Sequence, residues 1–290
     1  MMKLTYPAGK FLILGIICTG LVFGLLISQT NNSTDNVQNN GISQITIFPT
    51  LPNREITNLV ESTRLPILTY HYVEVVQDKN DTIRQKLDIS PSIFENQIIA
   101  LKEASYSAVF MKDLGNYFEG KEKLPDKPVA ITFDDGYRDF YTDVFPILKK
   151  HSVKATLYVI TGFLDRPNFL TRVQLKEIAG SGLIEIASHT LHHIDLKKAD
   201  EKTSRQEIIE SKKALEDIIG NKVYDFAYPY GSYSENSIKL VKEAGYLTAV
   251  TTKSGIIQTP GNKYSLYRLR PDTKTGKVLI SWLENIQDKK

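Results

Sequence analysis

Short apolar runs alternate with amphipathic stretches from Leu65 onward, and few folds accommodate that rhythm. Residues 65–69, 129–133, 154–160, 183–187, 226–228 and 247–251 read as buried strands. Between them, helices are expected through Val144, Leu148 and Lys150, and over 172–179, 200–219 and 234–244. Ser90 and Pro91 supply an N-cap and an N1 proline for an earlier helix, with Phe94, Ile98 and Leu101 at helical spacing. Repeated strand–helix units predict an α/β fold with a parallel sheet and helices outside it. Their number suits a closed or nearly closed β/α barrel, in which chemistry gathers where the strands end.

The N-terminus departs from this pattern. Residues 11–27 form an apolar run of 17 residues, preceded by Lys3 and Lys10 and followed by polar residues. As a helix the run would be about 25 Å long, close to a hydrocarbon core of roughly 30 Å. A cleaved signal has a shorter apolar core and a small-residue site, whereas no alanine occurs between Ala8 and Ala100. Residues 1–28 therefore read as a membrane anchor or signal segment, 29–60 as a flexible polar stalk, and 61–290 as the folded domain. With both lysines ahead of the run, the domain is expected outside the cytoplasm, and secreted if the segment is cleaved. The lone cysteine, Cys18, falls inside the apolar run, leaving the exported part without thiol or disulfide.

Charge argues against one class of partner. The formal net charge is +3, and without Lys3 and Lys10 the chain carries 34 basic against 33 acidic residues. No basic cluster interleaves with aromatics, so no nucleic-acid partner is expected.

Three polar groups follow directly on predicted strands: Asp134-Asp135-Gly136, the segment from Ser188 to His193, and Tyr228-Pro229-Tyr230-Gly231. His189 and His193 are four apart, so on one helical turn both imidazoles reach one ion. His192 would lie about 100° round that turn. With Asp135 as third ligand, the set leaves a position open for water; it suits Zn2+ and also accepts Co2+, Ni2+ or Fe2+. A histidine pair alone is common on surfaces, and an acidic pair before glycine is an ordinary turn. Together, at the ends of neighbouring strands, they point to a metal site. One carboxylate would bind the ion while the other takes a proton from water. A phosphatase built on D-x-D-G is set aside, because here the acids are adjacent.

Residues 131–137, Ile-Thr-Phe-Asp-Asp-Gly-Tyr, resemble the TFDDG motif of the polysaccharide deacetylase family (carbohydrate esterase family four, the NodB-homology domain). His189-Thr190-Leu191-His192-His193 is similar to its H-[ST]-x-x-H motif, and the resemblance spans about residues 65–272. It implies a distorted (β/α) barrel and hydrolysis of acetyl groups on glycans. It also implies Asp134 as general base, and Asp135, His189 and His193 as ligands of one divalent ion. Tyr230, after Pro229, matches the family residue whose backbone N–H helps hold a developing oxyanion.

Two departures from the family pattern carry information. Many members read R-x-P-[YFW] where this chain has Ala227-Tyr228-Pro229-Tyr230, so the arginine that pairs with the base is missing; Arg268 or Arg270 could replace it. Many relatives also place their general-acid histidine late, yet no histidine follows His193. His151 precedes the strand at 154, at the bottom of the barrel, while His71 follows the strand at 65–69 at the catalytic end. His71 is the expected acid. Leu68-Thr69-Tyr70-His71-Tyr72 is similar to a subgroup with an early histidine, which includes poly-N-acetylglucosamine deacetylases. The expected reaction is removal of N-acetyl groups from N-acetylglucosamine residues of an extracytoplasmic polysaccharide. An O-acetyl xylan esterase and a catalytically impaired glycan-binding module are the alternatives. Tyr70, Tyr72, Tyr137, Tyr230 and Tyr233 lie near the motifs and could stack on sugar rings.

Overall fold

The structure, a computed structural model, describes residues 60–286 apart from residue 79. The expected segments 1–28 and 29–60 lie outside the described residues, save Val60. No helix among the described residues is long and apolar enough to cross a membrane.

Eight parallel strands form the central sheet: β1 (Ile67–Tyr70), β2 (Ser107–Val109), β3 (Pro128–Phe133), β4 (Ala155–Val159), β5 (Ile184–Ser188), β6 (Asp225–Ala227), β7 (Thr248–Ser254) and β8 (Leu266–Arg268). They run in the order β1-β3-β4-β5-β6-β7-β8, with β2 paired to the first half of β3. The ring closes where Leu269 donates to the Ile67 carbonyl at 2.8 Å and Thr69 donates to the Leu269 carbonyl at 3.0 Å. Closure is uneven. β5 and β6 share a single register pair, Ser188 with Phe226, and β7 shifts register against β8. The result is the distorted barrel expected from the sequence.

Alternation along the strands sorts side chains between two cores. Ile67, Ala130, Tyr158, Ala187, Ala227, Val250 and Leu266 pack in one cluster inside the ring. Their neighbours Leu68, Ile131, Phe133, Leu157, Val159, Ile186 and Phe226 pack outward in the other. There they meet helices α1 (Pro91–Glu103), α3 (Phe145–His151), α4 (Arg172–Gly180), α5 (Glu201–Ile219), α6 (Glu235–Glu243) and α7 (Gly276–Asn285). The helix α2 (Met111–Phe118) differs, because Met111, Leu114 and Phe118 join the inner cluster. The Met111 N–H donates to the Thr156 hydroxyl on β4. A Cβ at Gly115 would come within 2.7 Å of the Leu247 side chain, so glycine permits the close packing. α2 thus closes the end where the strands start, and the chemistry is left to the other end.

Ser90 and Pro91 begin α1 as expected, with the Ser90 hydroxyl accepting from the Ile93 N–H. The helix before β4 begins as a wide π turn, Phe140–Val144, and becomes regular only at Phe145. Pro146, without an N–H, sits in its first turn.

Candidate active site

Asp134 and Asp135 leave β3 in a sharp turn. Asp135 has φ 72° and Gly136 φ 76°, so the chain makes two left-handed steps. For Asp135 that conformation costs energy which the surrounding bonds must offset. Gly136 donates to the Asp134 carbonyl at 3.0 Å and accepts from Leu170 at 3.0 Å. The turn sends two adjacent carboxylates to different partners.

Asp134 is buried and held by Arg268. The guanidinium meets it end-on, Nη1 to Oδ1 and Nη2 to Oδ2, each at 2.7 Å. Nε of Arg268 donates to the Thr251 carbonyl at 2.8 Å, which fixes the plane of the fork. Burial alone would raise the Asp134 pKa, but the adjacent cation overrides it and holds the carboxyl well below the usual range. Arg270, the other candidate, donates instead to the Lys86 carbonyl and does not reach Asp134. Arg268 reaches β3 across one intervening strand, β1, so the pairing crosses the seam of the barrel.

Asp135 faces the histidines. Its Oδ1 lies 3.5 Å from Nε2 of His189 and 3.4 Å from Nε2 of His193, and has no hydrogen-bond partner among the described residues. The three donor atoms lie within 4.8 Å of one another. Burial, and then the negative Asp134 beside it, push the Asp135 carboxyl up to about 7. Burial lowers both imidazoles to about 4, so they are neutral at physiological pH, the state in which histidine binds metal. The Nδ1–H of His189 donates to the Ala227 carbonyl at 2.8 Å, which turns Nε2 toward Asp135. The residues therefore fit a divalent cation.

The expected helical turn is absent. Residues 189–193 form a loop after β5, with Thr190 at φ 67° and His193 at φ 59°. The two histidines converge through these left-handed steps and not through helical spacing. His192 turns away, as expected, and pairs through Nδ1 with Glu207 of α5 at 2.7 Å.

His71 follows β1, and its Nε2 stands 3.8 Å from Oδ2 of Asp134. Its Nδ1 has no hydrogen-bond partner among the described residues. Burial outweighs the attraction of Asp134 and lowers the His71 pKa to about 4. His151 is remote, paired with Glu95 at 2.8 Å. Pro229 is buried and precedes Tyr230, which is left-handed at φ 60° and 65% exposed. The Tyr230 ring meets the His193 ring edge-on at 4.6 Å. Gly231 permits this turn, since a Cβ there would lie 2.5 Å from the Thr252 nitrogen.

Among the five tyrosines, Tyr70 is buried against Phe94 and Phe133 and bonds Gln97, so it is a core residue and faces no sugar. Tyr72 and Tyr137 stack on each other with centroids 4.0 Å apart. Sequence reasoning missed Glu207 and Asp139. Asp139 accepts the Val73 N–H at 2.6 Å, tying the strand end after His71 to the turn after Asp135. Glu207 could have been found, because it shares a buried stripe with Ser204, Ile208, Ser211 and Leu215.

Comparison with known proteins agrees with this geometry. Residues 121–249 match the polysaccharide deacetylase family. YxkH of Bacillus subtilis (strain 168), whose description places it in the same family, is 32% identical over 225 residues, covering 77% of each chain. The poly-beta-1,6-N-acetyl-D-glucosamine N-deacetylase of Staphylococcus aureus (strain N315) is 30% identical over 77% of this chain and 83% of that one. The Streptococcus pyogenes deacetylase PplD, solved in complex with acetate, superposes with a TM-score of 0.71 at 30% identity, over 78% of this chain and 99% of that one. A deacetylase barrel with its carboxylate pair, two histidines and this extent of similarity has one classification: the chain belongs to the polysaccharide deacetylase family, whose members are generally metal-dependent hydrolases.

Proposed function

We propose that this protein removes N-acetyl groups from N-acetylglucosamine residues of a polysaccharide, using one divalent ion, Zn2+ by preference. One observation carries the reading. Of two adjacent buried carboxylates, Arg268 holds one ionised, while the other points an unpartnered oxygen at two neutral imidazoles. Asp135, His189 and His193 would hold the ion. When bound, such an ion supplies Lewis acidity, polarising an acetyl carbonyl and lowering the pKa of water from 15.7 toward about 7.

The chain's own residues divide the remaining work. Asp134 accepts the proton of the attacking water; its bidentate bonds to Arg268 fix the direction of its free lone pairs. The Tyr230 backbone N–H, presented by the left-handed turn after Pro229, donates to the developing oxyanion. His71 starts neutral, so the proton it passes to the departing amine arrives during the reaction. Asp134, 3.8 Å away, is the source: the proton taken from water is the one the amine needs. The Staphylococcus aureus relative is named for this reaction on a β-1,6-linked polymer, which supports N-acetylglucosamine as the sugar. The apolar segment 11–27 supports a membrane anchor that places the domain outside the cytoplasm.

Acetate release from β-1,6-linked N-acetylglucosamine oligomers, with added zinc and with chelator, tests the proposal. Zinc-dependent release is expected. Release from acetylated xylan in its place would give an O-acetyl esterase, and release from neither, with metal bound, a glycan-binding module.

A further inference from the structure

The loop that carries His189 and His193 has no helical ladder to satisfy its backbone, yet the N–H groups of His189, Leu191, His192 and His193 are all engaged. The His193 N–H donates to the Thr190 hydroxyl at 2.9 Å. The two preceding N–H groups, of Leu191 and His192, both donate to Oε2 of Glu207, at 2.9 and 2.7 Å. Oε1 of the same carboxylate takes the His192 Nδ1 contact at 2.7 Å. Glu207 is 5% exposed and projects from the buried face of α5. On its other side the loop lies against residues 161–162: Thr161 donates to the Thr190 carbonyl at 3.2 Å and Gly162 to that of Leu191 at 2.9 Å. A Cβ at Gly162 would come within 2.5 Å of the Leu191 oxygen, so glycine alone allows this approach.

We propose that Glu207 is a positioning residue for the metal centre: its carboxylate gathers the Leu191 and His192 N–H groups and so holds the left-handed bends that aim His189 and His193 at Asp135. The inference rests on reading Asp135, His189 and His193 as metal ligands. Two charge-assisted bonds to consecutive N–H groups offset the strain of Thr190 and His193. Without them the loop relaxes, and the imidazoles lose their common focus. Supporting groups of this kind typically change metal affinity by about 10–100-fold when removed.

The test measures zinc affinity of the full-length protein by competition with a chromogenic chelator, and amide exchange of Leu191 and His192 in the metal-free protein. Glu207→Ala should weaken zinc by about 10–100-fold and release both amides to exchange. Glu207→Gln keeps one acceptor oxygen for the two N–H groups and should stay within about threefold of wild type. It also guards against an alanine variant that fails to fold. His192→Ala removes only the side-chain contact and should resemble the glutamine variant; a loss as large as that of Glu207→Ala would shift the role to His192 and overturn the proposal. Unchanged zinc affinity in a folded Glu207→Ala protein overturns it while leaving the metal reading intact. Wild-type protein that binds no divalent ion overturns both.

Discussion

Asp134 and Asp135 follow β3 at the open end of the barrel, whereas Glu185 and Asp225 lie on β5 and β6 toward the end that α2 closes. All four are buried, yet their charges are managed in opposite ways. At the open end a fixed guanidinium keeps Asp134 ionised, and Asp135 retains a free oxygen. At the closed end neither acid makes an ion pair among the described residues. Oε2 of Glu185 accepts the Lys112 N–H at the start of α2 and the Thr156 hydroxyl, and Asp225 accepts the Thr248 hydroxyl. One oxygen of each, Oε1 of Glu185 and Oδ2 of Asp225, has no hydrogen-bond partner among the described residues, and burial pushes both carboxyls upward, Asp225 strongly. Tyr158, with Arg268 5.9 Å from its ring, sits between the two systems. Burial therefore does not by itself ready a carboxylate for chemistry; a fixed cation keeps it charged and available, while burial without one favours the neutral form.

This contrast is most sharply broken at the open end. His71→Ala should lower kcat by roughly 10²–10⁴, and His189→Ala by at least as much; turnover near wild type in either variant would dissolve the catalytic reading. Arg268→Met comes next. It leaves Asp134 buried without its counter-charge, at a stability loss of about 3–5 kcal/mol. Burial then dominates, the Asp134 pKa rises, and the acid limb of kcat/KM should move to higher pH. The stability linkage has the same origin. The Asp134 pKa is depressed by folding, so the pair's contribution is present above the unfolded pKa of about 3.9 and is lost as pH falls below it. Melting temperature in acid should therefore depend less on pH in Arg268→Met than in wild type.

The smallest effect is expected at the closed end. Asp225 is raised by folding, so its penalty sets in as pH climbs past the unfolded carboxylate range and grows toward the folded value. Asp225→Asn replaces the titrating carboxyl with a neutral amide of the same shape. It should flatten the pH dependence of melting above about pH 4 and change kcat by less than threefold. A large loss of activity would show that the lower pair feeds the site through Tyr158.

Most of the barrel was legible in the sequence, because strands buried on both faces read as apolar runs and the helices between them keep a 3.6 period. The site was legible in its residue types but not in its local backbone. Nothing in Thr190 or His193 announces a left-handed conformation, so the HTLHH segment read as a helical turn. The choice between Arg268 and Arg270 depended on the strand ending at Arg268, after which the chain bonds back to Ile67 and turns away. Glu185 offered a signal that passed unnoticed: a charge between Ile184 and Ile186 must point into the ring if its neighbours point out.

The account turns on the division of labour between Asp134 and Asp135, and paired zinc titrations of Asp134→Asn and Asp135→Asn test it most directly. Asp134→Asn should bind zinc within a few-fold of wild type and release almost no acetate, while Asp135→Asn should lose zinc affinity by at least about tenfold. Zinc binding abolished in Asp134→Asn and retained in Asp135→Asn would contradict the assignment of base and ligand.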